Sequence, residues 1–135
     1  MSFLQWSDRY SVGITSFDRQ HQQLIILINQ LHDGMTQGKG NDILGPILDK
    51  LVEYTTLHFK AEEAALQRHG YPQLQQHIAE HKKLTDQVID FRNKFHSGQV
   101  RISVQVMQFL KDWLLNHIQS TDRLYGAFLQ EHGAA

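Results

Sequence analysis

At 135 residues the chain is long enough for one domain with a single core, and its 41% hydrophobic and 20% charged residues are ordinary for a globular protein. A formal net charge of -1 gives no electrostatic attraction to nucleic acid or to an anionic membrane, and the lack of cysteine excludes disulfides, thiolate zinc sites and iron–sulfur clusters. The longest apolar run, Leu24 to Ile28, is too short to span a bilayer, and residues 1–10 carry no secretory pattern, so a cytoplasmic protein is expected.

The first seventeen residues read as an N-terminal arm, with Phe3, Trp6, Tyr10 and Phe17 at no helical period. A first helix is expected over about 18–37, stopped by Gly38-Lys39-Gly40. A second is expected over about 42–69, with Asn41 and Asp42 as capping residues and Pro46 tolerable only in the first turn. Gly70-Tyr71-Pro72 enforces its end. A third follows over about 73–95, closed by Ser97-Gly98, and a fourth over about 103–130. Each carries apolar residues at a spacing of three and four: Leu24, Ile25, Ile28, Leu31 and Met35; Leu44, Ile47, Leu48, Leu51 and Thr55; Leu84, Val88, Phe91 and Phe95; Val106, Phe109, Leu110, Trp113 and Leu114. The expected fold is all-α, one domain over 1–135, an up-down-up-down four-helix bundle with an N-terminal arm.

Nine histidines are the compositional excess. Five of them form a spaced set with two carboxylates: His21, His58 with Glu62, His77 with His81, and His117 with Asp122. These residues continue the apolar stripes and so face the core. They also lie at matching depths, near the starts of the first and third helices and towards the ends of the second and fourth, which share one end of an antiparallel bundle. Nitrogen and oxygen donors in this proportion suit a borderline transition metal, and seven are too many for one ion. Two ions side by side with shared carboxylates are expected, and the donors alone fit zinc or manganese among others. The step of five from His117 to Asp122 turns the two residues about 140° apart on a regular helix, so Asp122 must reach sideways or the helix must distort.

A lone histidine on an apolar face is ordinarily a hydrogen-bonded core residue, and His32, His69, His96 and His132 are read that way. Seven donors in one layer are different, because each buried carboxylate without a cation costs roughly several kcal/mol.

At this point the chain resembles the bacterial hemerythrins. The likeness rests on Trp6-x-x-x-Tyr10-x-x-Gly13, Asp18-x-Gln20-His21, His58-Phe59-x-x-Glu62-Glu63, Gly70-Tyr71-Pro72 ahead of His77-x-x-x-His81, and Trp113-Leu114-x-x-His117-x-x-x-x-Asp122. It covers nearly the whole chain. The resemblance implies a non-haem di-iron centre, with His77, His81 and His117 on one iron and His21 and His58 on the other. Glu62, Asp122 and an oxo or hydroxo group would bridge the pair. It further implies reversible dioxygen binding, for storage, delivery or sensing, by a protein that is not an enzyme. The alternatives are a di-iron oxidase or peroxidase, a nitric oxide-handling enzyme, or an iron store. Oxygen-activating di-iron bundles use paired Glu-x-x-His motifs, and none occurs here.

Leu24, Ile25, Phe59, Leu114 and Ile118 are core residues expected also to wall a dry oxygen pocket, with Leu114 and Ile118 at its access. Trp6 and Tyr10 either shield the open end of the site or cap the bundle. Gln20 and Asp18 are candidate partners for ligand imidazoles, although Asp18 equally suits the start of a helix through its dipole. Tyr125 either packs or hydrogen-bonds a bridging oxygen. Dioxygen is the expected ligand of a monomer, with an unidentified oxygen-consuming protein as its partner and no role for nucleic acid or membrane.

Overall fold

Each of the first three long helices stops where a glycine turns the chain left-handed. A computed structural model describes residues 3–99, 101–118 and 123–131. Among them α1 spans Thr15–Thr36, α2 Asn41–Arg68, α3 Leu74–His96, α4 Val104–Asn116 and α5 Arg123–Glu131. Gly38, Gly70 and Gly98 follow α1, α2 and α3 with φ of 69°, 72° and 80°. Lys39, Tyr71 and Gln99 then donate back to the carbonyls of Gly34, Leu66 and Lys94. This is the Schellman closure, which satisfies carbonyls that the last turn leaves unpaired.

The starts differ more from expectation than the ends. α1 begins at Thr15 rather than 18, because the Ile14 carbonyl already accepts from Asp18 N at 2.9 Å. Gly40, not Asn41 or Asp42, occupies the N-cap of α2, and no side chain caps it. Pro46 therefore falls in the second turn, where it cannot donate to the carbonyl of Asp42. Both residues are exposed, so water can satisfy the freed carbonyl.

The fourth segment was expected as one helix over 103–130; its described residues carry α4 and α5, and residues 119–122 between them lie outside the description. Ser103 caps α4 by accepting from Val106 N, and the chain then widens into a π-type turn at His117–Ile118 before α5. A π turn carries one extra residue per turn. Asp122 itself lies outside the described residues.

The result is an all-α, up-down-up-down bundle of four legs, the last made of α4 and α5. α1 packs on α2 and α4, and α2 on α3. The Trp113 indole N–H donates to the Leu84 carbonyl at 3.2 Å, joining α4 to α3. Within α4, Met107 takes the core position and Phe109 is 41% exposed, so the apolar stripe is narrower than its spacing suggested. No helix among the described residues is long and apolar enough to cross a membrane.

The arm lies along α1 and ends on α5. Asn29 holds it with two bonds to the Leu4 backbone, accepting from N at 2.9 Å and donating to O at 2.7 Å. Phe3 stacks on His32 with centroids 4.3 Å apart. Asp18 accepts from the Ser11 hydroxyl at 2.6 Å and from Val12 N at 2.8 Å. Gln130 Nε2 donates to the Gly13 carbonyl at 2.9 Å, which closes the arm onto α5.

Candidate metal centre

Helical spacing delivers each donor to the interior. His21 sits three and four residues before Leu24 and Ile25, which are buried in the same core. His58 and Glu62 are one turn apart on α2, as are His77 and His81 on α3. His117 comes from the π-type turn after α4. His21, His58, Glu62, His77, His81 and His117 are all less than 5% exposed, so a carboxylate is held among five imidazoles away from water.

The six described donors fall into two groups. Glu62, His77, His81 and His117 form one; His21, His58 and Glu62 form the other. Within each group the donor atoms lie within 4.8 Å of one another. Donors sharing an ion at about 2.1 Å sit up to roughly 4.2 Å apart, so both groups fit a metal after small adjustments. Glu62 belongs to both. Its Oε1 is 2.8 Å from His58 Nε2 and 3.7 Å from His81 Nε2, between the two halves. The ring centroids of His21 and His58 are 4.6 Å apart, and those of His77 and His81 4.3 Å.

Outer contacts set which nitrogen faces inward. His81 Nδ1 lies 2.7 Å from Glu63 Oε2. A carboxylate only accepts, so this imidazole donates from Nδ1 and presents the Nε2 lone pair to the site. His58 Nδ1 likewise meets Gln20 Oε1 at 2.5 Å. Burial raises the Glu63 carboxyl above its usual range, against a smaller lowering by Lys60. Phe59 lies flat on His81, with centroids 3.9 Å apart and planes 4° apart, and meets His117 edge-on at 5.3 Å. These contacts restrict the ring planes.

Gln20 therefore contacts the imidazole of His58, a candidate ligand, whereas the contacts described for Asp18 are to the arm. Glu63 had no assigned role. It stands five residues past His58, off the buried stripe of α2, and only α3 brings His81 to it. The adjacent acidic pair Glu62-Glu63 was the available signal. Leu24, Ile25, Phe59, Leu114 and Ile118 are all buried. Trp6 and Tyr10 pack on each other edge-on at 6.0 Å, and it is Phe17, at the start of α1, that reaches His58, at 6.3 Å. Tyr125 is fully buried, its ring 5.1 Å from that of His77.

The family model described as the hemerythrin HHE cation binding domain matches residues 12–129. A bacteriohemerythrin from Methylococcus capsulatus is 36% identical over 130 residues, covering 96% of this chain and 98% of that one. A bacteriohemerythrin from Stenotrophomonas maltophilia is 33% identical over 132 residues, covering 98% and 85%. Among solved structures, wild-type hemerythrin matches with a TM-score of 0.86 at 36% identity, over 93% of this chain and 97% of that one. A hemerythrin mutant matches with a TM-score of 0.88 at 34% identity, over 94% and 97%.

Proposed function

The chain belongs to the hemerythrin family, and on that premise we propose that it binds dioxygen reversibly at a non-haem di-iron centre. His77, His81 and His117 would hold one iron and His21 and His58 the other, with Glu62 and Asp122 as the carboxylates common to both. The observation that carries this reading is Glu62, a buried carboxylate common to two donor groups. When bound, the iron pair supplies the electrons and the open position that dioxygen binding needs.

The chain's own residues do the rest. Glu63 and Gln20 orient His81 and His58, and Phe59 fixes the plane of His81. Leu24, Ile25, Leu114 and Ile118 keep water from the site, which slows loss of the ferrous state. A set dominated by neutral imidazoles stabilises high-valent iron less than a carboxylate-rich one, which favours binding over O–O cleavage. We further propose a cytoplasmic monomer that holds oxygen for storage, delivery or sensing, with an oxygen-consuming protein as its partner.

The test is the visible spectrum of the reduced, iron-loaded protein through repeated cycles of air and argon, with iron counted per chain. Absorption that appears in air and vanishes under argon, cycle after cycle, with two irons per chain, is the expected result. Loss of the response after one exposure favours a turnover enzyme, and more than two irons per chain favours storage. Replacing Leu114 with alanine is expected to speed autoxidation severalfold by admitting water. An unchanged rate removes Leu114 from the wall of the pocket.

A further inference from the structure

The two halves of the site are buttressed unequally. His81 gives its Nδ1–H to the Glu63 carboxylate at 2.7 Å, whereas His58 gives its own to the neutral amide oxygen of Gln20 at 2.5 Å. Both contacts leave Nε2 for an ion, but they differ in charge. An anionic acceptor draws the Nδ1 proton towards itself and so makes Nε2 the stronger electron donor. Glu63 is only 26% exposed and His81 2%, so solvent screens this charge incompletely.

Two further differences point the same way. Phe59 lies flat on His81, so that ring loses little freedom on coordination. The half containing His81 also brings four described donors together, against three in the half containing His58, with Glu62 common to both.

From this we infer that the two halves load in order: a divalent ion enters the Glu62–His77–His81–His117 group first, and Glu63 is the positioning residue that gives that half its lead. Gln20, being neutral, keeps the His21–His58 half the weaker. When metal is scarce the chain then holds a single ion in its three-histidine half. The inference rests on the dinuclear reading above and adds to it an order and the residue that sets it.

Zinc titrated into the chelator-stripped full chain, in competition with a chromophoric chelator, reads both steps. Wild type is expected to take up two equivalents, the first tighter by about tenfold or more. Glu63→Gln keeps the shape and an acceptor oxygen but removes the charge. It is expected to weaken the first step by about 10- to 100-fold and to leave the second unchanged. Gln20→Glu places a carboxylate on His58 and is expected to tighten the second step alone, closing the gap from the other side. A purely structural role for Glu63 predicts a lower metal-free melting temperature and a loss in both steps alike. That outcome overturns the proposal, as does an unchanged first step in Glu63→Gln. Two equal equivalents in wild type overturn the order and leave the dinuclear centre standing. Fewer than two equivalents remove the dinuclear reading itself, and the order with it.

Discussion

Exchanging Glu62 for glutamine is expected to strip the protein of metal while leaving the metal-free fold no less stable. Glu62 is fully buried among five imidazoles and is shared by both donor groups. A neutral amide has nearly the same shape, but it cannot bring anionic charge to two cations at once. Iron content should fall from two per chain to less than one. In the metal-free protein the carboxylate is buried without a cation, and a neutral amide of the same shape costs less to bury. The metal-free variant should therefore be at least as stable as wild type. A ligand that binds only the folded state at 100 times its Kd stabilises it by about 2.7 kcal/mol, and the variant should lose that increment. Melting temperatures with and without metal, read beside iron analysis, separate the two effects. Retention of two irons in the variant would remove Glu62 from the role of shared ligand.

The second large effect is expected where the arm meets α5. A Cβ added at Gly126 would lie 2.0 Å from the Val12 carbonyl oxygen, a backbone atom that cannot rotate away. Alanine is the better helix former by roughly 1 kcal/mol, so propensity alone predicts a gain in α5. The clash should reverse the sign, because the arm must lift off and expose Val12 and Ile14, which are 5% and 2% exposed. Gly126→Ala is expected to destabilise by about 1–3 kcal/mol, the usual range for overpacking, read from denaturant melts of the metal-free protein. A neutral or stabilised variant would show that the arm does not rest on α5.

These two sites also mark how far the sequence alone could be read. The donors near Glu62 were legible because they continue helical stripes, and each stripe's register is local information. The first three helix ends were legible for the same reason: Gly38, Gly70 and Gly98 announce their closures within a few residues. Gly126 gave no such signal, since its reason for being glycine is Val12, more than a hundred residues away. Glu63 was hidden in the same way, by dependence on a neighbouring helix. Asp18 shows the converse problem. Its charge suggested either a ligand imidazole or a helix dipole; it stands in the first turn of α1, as the dipole reading has it, and also holds Ser11 and Val12 of the arm. The π-type turn at His117–Ile118 has no residue signature of its own.

The aromatic packing around His81 also gives the protein an optical response. The chain has two tryptophans. Trp113 is 6% exposed, and its ring lies 6.5 Å from Phe59, the ring stacked on His81. Trp6 is in the arm, half-buried and packed on Tyr10. Their fluorescence therefore reports on different events, with a bluer emission from the dry indole and a redder one from the wetter indole. Filling the site with iron should quench the blue component and spare the red, so that emission wavelength alone distinguishes loading of the centre from release of the arm.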